Sequence, residues 1–214
     1  MRPRHNGMTL LEVMVVVALV GLFATLSVAG FQGMTERQRL GGAQRELVLM
    51  MQEARQKARA THQPVRLNVR VADENGRRVT RMRWEALACS DAWGTVCPSA
   101  ACLDNACDVS GCVCPEVGPE LVIPPKLDVS LLVGLCWMEP AGNDAPVVAP
   151  AAPGGRACEP MDEPPPTERL VLLRNHGTLE VPNWKPELVF QVDRLTAAVR
   201  PVACDKHAST PGCQ

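Results

Sequence analysis

The hydrophobic positions of this chain follow three successive patterns. A nearly unbroken apolar run extends from Met8 to Met34 and contains one ionisable side chain, Glu12. Apolar residues then recur every three or four positions up to about Ala60, which is the period of an amphipathic helix. From Val65 the period changes to two, which is typical of strands with one buried face. This order predicts a long N-terminal helix followed by a β-rich domain.

The apolar run has the length of a membrane span. The 23 residues from Val13 to Thr35 carry no charge, and at about 1.5 Å per residue they form roughly 35 Å of helix. Arg2 and Arg4 precede the run, so the positive-inside rule places the N-terminus in the cytoplasm and the rest outside. A cleaved secretory signal is the rival interpretation, but its apolar region is shorter, about 7–15 residues. We expect residues 8–35 to remain as an inner-membrane anchor.

The amphipathic segment, predicted over residues 36–62, continues the same helix. Its apolar positions are Leu40, Ala43, Leu47, Met50, Met51, Ala54 and Ala58. Gly41 and Gly42 form the weak point, where a bend or a looser turn is expected. Together the two segments predict one helix of about fifty residues, roughly 75 Å long, whose second half lays one apolar face against a domain.

The globular domain is predicted over residues 63–214. The alternating stretch from Val65 to Val71, the turn residues 73–76 and the returning stretch to Leu87 indicate a β-hairpin. A second hairpin is expected from Arg169 to Val181, with "TLEV" as its returning strand, followed by strands in "ELVFQV" and "LTAAVRPV". An irregular Cys/Pro-rich insert, 89–166, separates them, with one strand in "LVIPPKLDVSLLVG". The fold class is therefore α+β, with a long N-terminal helix packed on a small antiparallel sheet.

Ten cysteines follow the apolar run, and an even number on the exported side indicates disulfides in an oxidising compartment such as a bacterial periplasm. They are Cys89, Cys97, Cys102, Cys107, Cys112, Cys114, Cys136, Cys158, Cys204 and Cys213. A zinc site is disfavoured because Cys89 to Cys114 contain no Cys-x-x-Cys pair. Spacing leaves the pairing open, although Cys136 and Cys158 flank a Pro/Ala/Gly-rich loop and could close it.

Charge is distributed unevenly along the chain. Residues 36–83 hold 12 basic and 5 acidic side chains, a net of +7, whereas residues 84–214 hold 8 and 17, a net of −9. The basic part can attract the acidic part of a neighbouring subunit, anionic lipid or nucleic acid. The candidate phosphate or partner contacts are Arg55, Arg59, Arg66, Arg70, Arg81 and Arg83. Nucleic-acid binding is the less favoured prediction, because the chain has no Tyr and three Phe to stack on bases.

The sequence contains no pattern that points to catalysis. Its four histidines, His5, His62, His176 and His207, are scattered, and no nucleophile, phosphate-loop or metalloprotease motif is present. Oxygen-bearing residues between Asp104 and Ser110 lack the alternation of a calcium loop. We therefore predict no enzyme activity, no cofactor and no metal site.

The stretch "GMTLLE" before the apolar run resembles the processing signal of type IV pilins and pseudopilins. Gly7 matches the residue before the cut, Met8 the new N-terminus, and Glu12 the fifth residue of the mature chain; 1–7 would be a cleaved leader. The helix end and the first strand, "LGGAQRELVLMMQEARQKARATHQPVRLNV", resemble the GspH/FimT group, as does "NHGTLEV". The Cys/Pro-rich insert departs from that group's pattern, and Met8 stands where Phe is commonest.

The resemblance implies a pilin-like fold and a structural function. The protein would be a minor pseudopilin or pilin that primes or caps a periplasmic filament of a type II secretion system or type IV pilus. Its partners would be a prepilin peptidase and other minor and major pilins or pseudopilins. Glu12 would dock with the Met8 amine of the next subunit, since a charge pair gains strength in a low-dielectric core. Two alternatives are a DNA receptor for uptake and a plain membrane-anchored, disulfide-rich binding domain, for which Glu12 is an interfacial carboxylate.

Overall fold

The computed structural model describes residues 10–88, 102, 107, 111–138, 147–149, 158, 170–193, 196 and 198–213, without the side chains of 24–33, 138 and 147–149. Helix α1 extends over Leu10–Thr61. The chain divides into two compact units, Met1–Gly41 and Gly42–Gln214. The division falls between the two glycines at which a bend was expected, yet α1 runs through both of them as a continuous helix.

In the second half of α1 the predicted apolar positions are buried. Leu40, Ala43, Leu47, Met50, Met51, Ala54 and Ala58 are all part of the core. Within the larger unit, Gln44 Nε2 donates to Glu187 Oε1 over 3.2 Å, and Arg55 Nε donates to the Thr196 carbonyl over 2.8 Å. The helix ends at Thr61, after which His62 takes a positive φ of 52°. The amphipathic pattern therefore identifies the buried face of this segment correctly.

Strands β1 (Val65–Glu74) and β2 (Arg77–Ala86) form the predicted hairpin. Its two-residue turn consists of Asn75 and Gly76, with φ values of 52° and 75°, which suits a turn that needs positive φ at both central positions. The register is continuous from Glu74 opposite Arg77 to Val65 opposite Ala86.

The insert was expected to be irregular, but it contributes five strands to the two sheets. The strands are β3 (Glu116–Val117), β4 (Leu121–Ile123), β5 (Leu127–Asp128), β6 (Cys136–Met138) and β7 (Val147–Ala149). The first sheet has the order β3-β2-β1-β6-β7, with β4 also paired to β2. The expected single strand in "LVIPPKLDVSLLVG" is wrong, because Pro124 and Pro125 separate β4 from β5 and a 3₁₀ turn, Ser130–Leu132, follows.

The second sheet contains the C-terminal strands β8 (Val171–Asn175), β9 (Trp184–Val192) and β10 (Val199–Ala203), in the order β10-β9-β8-β5. The expected partner of β8, "TLEV", is wrong: residues 178–181 belong to a connecting loop, and β9 pairs with β8. The α+β class with antiparallel sheets is confirmed, but the expected single small sheet is in fact two sheets.

The N-terminal segment carries the predicted membrane anchor. Within the described part of the chain, no helix has both the length and the apolar character needed to cross a membrane. Residues 1–9 lie outside that part. The side chains of 24–33, within the predicted span, lie outside it too. The cleaved leader predicted over 1–7 lies outside it as well.

Candidate functional site

Glu12 lies in the first turn of α1 and is exposed within the chain. The apolar side chains around it are exposed as well, from Leu10 and Leu11 to Leu22 and Phe23. Apolar surface of this extent needs covering by lipid or by another protein. Gly7 and Met8, the two predicted processing residues, lie outside the described residues. Glu12 therefore lies on an exposed, largely apolar helical surface, and its docking role stays a prediction.

The polar face of the β1–β2 hairpin contains a buried charge cluster that no sequence pattern predicts. Glu85 is 0% exposed and Arg66 is 5% exposed. Arg66 Nε and Nη2 donate to Glu85 Oε2 over 3.1 and 2.9 Å. The other guanidinium nitrogen, Nη1, donates to the Cys102 carbonyl over 2.7 Å. Arg66 thus connects the hairpin to the Cys/Pro-rich insert.

The second oxygen of Glu85 is bonded equally well. Oε1 accepts hydrogen bonds from Asn68 Nδ2 at 2.9 Å and from Arg83 Nε and Nη2 at 2.9 and 2.8 Å. Burial of the carboxylate acts to raise the pKa of Glu85. The hydrogen bonds from Asn68, Arg83 and Arg66, with the positive charge of Arg66, outweigh burial and lower that pKa below its ordinary value. Glu85 is therefore a permanently charged structural centre at neutral pH.

Disulfides cover this cluster. Cys102–Cys112, Cys107–Cys114 and Cys136–Cys158 form disulfides. Five of these six cysteines form a buried cluster with Leu87, and the partly buried Cys114 packs against it. The sulfurs of Cys107 and Cys114 and a carboxylate oxygen of Glu85 all lie within 4.8 Å of one another. Because both sulfurs belong to a disulfide, they are not thiolate ligands for a metal. A fourth bridge, Cys204–Cys213, closes the C-terminal loop; Cys89 and Cys97 lie outside the described residues.

The structure distributes the six candidate phosphate-binding arginines over different environments. Arg66 and Arg83 are bonded to Glu85, and Arg81 bonds Glu74 and Glu120. Arg55 donates to a backbone carbonyl. Arg59 and Arg70 are exposed. Three of the six charges are thus matched by carboxylates of the same domain, and nucleic-acid contact by this surface stays a prediction.

Asn175, at the end of β8, holds together a loop at the position where the sequence pattern predicts a hairpin turn. Its Oδ1 accepts from the backbone N–H groups of Gly177 and Asn183, each over 2.8 Å, and its Nδ2 donates to the Thr178 carbonyl. Thr178 Oγ1 accepts from the Val181 N–H over 3.0 Å. Side-chain bonds of Asn and Thr to nearby backbone compete with strand pairing, so residues 176–183 form a closed loop.

Comparison with known proteins gives one match, at the N-terminus. The model of the prokaryotic N-terminal methylation motif matches residues 2–28. That motif is typical of type IV pilins and pseudopilins, which form a structural family and not an enzymatic one. It implies processing by a prepilin peptidase, assembly with other pilins, and a membrane-anchored component of a pilus or pseudopilus. No curated protein and no solved structure matches the chain significantly.

Proposed function

We propose that this protein is a minor pseudopilin or minor pilin that primes or caps a periplasmic filament of a type II secretion system or type IV pilus. The observation that carries the proposal is the methylation motif over residues 2–28, which contains Gly7, Met8 and Glu12 at the spacing of a processed pilin N-terminus. The exposed apolar helix surface around Glu12 supports the same conclusion.

The proposed mechanism follows from the position of one carboxylate on an apolar helix. Cleavage after Gly7 creates an ammonium group at Met8, close to the start of α1. In a filament of parallel, staggered helices, Glu12 of one subunit pairs with the Met8 ammonium of its neighbour. In apolar surroundings such a pair is much stronger than in water, and leaving either charge unpaired is costly. The pair therefore sets the axial register of neighbouring subunits.

The Cys/Pro-rich insert favours the role of a minor subunit over that of a major subunit. Three disulfides and the strands β3 to β7 add substantially to the β1–β2 hairpin and the C-terminal sheet. A major subunit must pack against copies of itself on all sides, whereas a subunit at one end of a filament has room for additional structure. We therefore place the protein at the filament tip, anchored in the inner membrane before assembly.

Deletion of the gene in its native host tests this function. We expect the number of surface or periplasmic filaments, counted by electron microscopy, to fall sharply, with filaments of unchanged diameter. The chain with Glu12→Leu should accumulate normally but fail to restore the count. Glu46→Leu, which also removes an exposed carboxylate from α1, is the matched control and should restore it. Normal filament numbers in the deletion strain would contradict the proposal.

A further inference from the structure

Strand β1 has one edge that the described residues cover only in part. Strand β6 pairs with Val65 and Arg66 alone. The last backbone bonds on that side join Leu67 to Leu135 and Gly134, over 2.8 and 3.0 Å. Gly134, with a φ of 76°, turns the chain away at this point. Among the described residues, no strand pairs with this edge beyond Leu67.

The orientation of the uncovered backbone groups follows from the hairpin register. A two-residue turn is closed by a hydrogen-bonded pair, here Glu74 and Arg77, so the even-numbered residues of β1 bond to β2. Leu67 directs its N–H and carbonyl outward to the β6 side. By the alternation of antiparallel ladders, Val69, Val71 and Asp73 also direct theirs outward. The edge thus offers three donors and three acceptors in a row.

This edge lacks most of the features that normally protect a free strand. Proteins block edges with proline, bulges or short strands, whereas β1 is ten residues long, has no proline and runs in unbroken register. Val71 is 63% exposed on one face of the edge. On the other face Arg70 is exposed and lies directly opposite another cation, Arg81.

The charges around Arg70 indicate what an incoming strand should carry. Glu74 accepts from Arg81 Nε and Nη2 over 3.0 and 2.7 Å, and Glu120 accepts from its Nη1 over 3.1 Å. Glu74 and Glu120 are therefore both bonded to Arg81. Arg77 and Arg78 add two exposed cations at the hairpin turn. With Asp73 counted, the edge and its surroundings hold four cations (Arg70, Arg77, Arg78, Arg81) and three carboxylates (Asp73, Glu74, Glu120), a net of +1. Among the described residues, no carboxylate is bonded to Arg70, since Glu74 and Glu120 are bonded to Arg81.

We propose that the outer edge of β1, from Val69 to Asp73, receives an extended acidic strand from a partner protein. Backbone hydrogen bonds would supply affinity, and alternate side chains would supply specificity. Since side chains alternate between faces, the strand should carry carboxylates on the side of Arg70 and apolar residues on the side of Val71. A nucleic acid fits less well, because its phosphates accept hydrogen bonds but cannot donate to the outward carbonyls. The inference goes beyond the proposed function and does not rest on it.

The test uses the full chain in detergent micelles and a fluorescent octapeptide of alternating valine and glutamate. We expect saturable binding, with slower hydrogen exchange at the amides of Val69, Val71 and Asp73. A peptide with lysine in place of glutamate should bind about tenfold more weakly or worse, the cost of losing a charge-assisted hydrogen bond.

Two variants and two controls locate the site. Val71→Pro removes an outward N–H without touching the β2 ladder, and Arg70→Glu reverses the charge; each should weaken binding about tenfold or more. Val71→Thr keeps the N–H, and Arg59→Glu makes the same charge change on the helix; neither should weaken it.

Three results would overturn the proposal. The first is the absence of peptide binding or of exchange protection at the β1 edge. The second is a loss of peptide affinity in Arg59→Glu as large as that in Arg70→Glu, which would indicate unspecific attraction. A protein that binds a thymidine oligonucleotide but not the peptide would count against the proposal in the same way. The third is a concentration-dependent dimer that protects the same amides without peptide, because the occupant would then be a second copy of the chain.

Discussion

At the scale of single residues, Glu85 is the most constrained position in the described part of the domain. It is fully buried, and each of its oxygens accepts hydrogen bonds from a guanidinium. A buried charge is tolerated only when its partners are all in place, and the removal of one partner leaves an uncompensated charge. The packing of the Cys/Pro-rich insert against the hairpin therefore depends on this carboxylate and on Arg66.

Removing the Glu85 carboxylate should destabilise the protein strongly. Glu85→Ala removes the buried carboxylate that accepts hydrogen bonds from Arg66, Asn68 and Arg83, and we expect a loss of about 3–5 kcal/mol in the free energy of unfolding. Glu120→Ala is the control, since Glu120 accepts from arginine at the surface, where such pairs contribute about 1 kcal/mol or less. Urea unfolding followed by circular dichroism measures both; similar losses for the two variants would refute this role.

The lowered pKa of Glu85 also predicts a pH dependence of stability. Because the pKa is lower in the folded than in the unfolded state, the stabilisation is fully present above the unfolded value of about 4.3 and is lost as the pH falls through the folded value. The free energy of unfolding should therefore fall below about pH 4. In Glu85→Gln the fall between pH 5 and pH 3 should be smaller; an unchanged slope would show that other groups dominate.

At the scale of elements, one close contact fixes the approach of β3 to β2. Gly118 follows β3, and its N–H donates to the Trp84 carbonyl over 2.8 Å. A Cβ at this position would lie 2.2 Å from Nε1 and 2.4 Å from Cε2 of the buried Trp84 ring. The glycine is therefore required by the indole that packs against it.

Substitution of this glycine should be costly, in contrast to a glycine of the helix. Gly118→Ala should lower the free energy of unfolding by about 1–3 kcal/mol, as overpacking does. Gly42→Ala should raise it by about 0.5–1 kcal/mol, since alanine favours helix and no atom lies within 4 Å of the added carbon. Thermal unfolding compares the two; a neutral Gly118→Ala would show that Trp84 moves freely.

Sequence patterns were most successful where one periodicity dominates over many residues. The seven apolar positions of α1 were all found on its buried face, and the Asn75–Gly76 turn lies between the predicted strands. They failed where a few side chains decide the path. Asn175 diverts "TLEV" into a loop, and the proline pair at 124–125 divides one expected strand into two.

Of the two carboxylates at the candidate sites, the sequence identifies one and misses the other. Glu12 was recognisable because a charge in a long apolar run is exceptional. Glu85 was not, because it lies among polar residues of an alternating strand and resembles an ordinary solvent-facing position. Its burial depends on Cys102 and on the disulfides that cover it, and these long-range contacts leave no local pattern in the sequence.

At the scale of the whole molecule, the chain combines two parts with different requirements. The N-terminal unit exposes a continuous apolar helix surface around Glu12, whereas the larger unit has its own core, two sheets and four disulfides among the described residues. Disulfide-rich domains are typical of oxidising compartments, which agrees with a periplasmic position for the larger unit in the proposed filament subunit.

Membership of the filament class is decided by the mass of the N-terminal peptide after co-expression with a prepilin peptidase. The proposed function predicts a chain that begins at N-methylated Met8. Gly7→Ala should abolish the cut, whereas Asn6→Ala should not. An uncut chain that still begins at Met1 in the presence of active peptidase would contradict it. Glu12 would then be an interfacial carboxylate of an anchored binding domain.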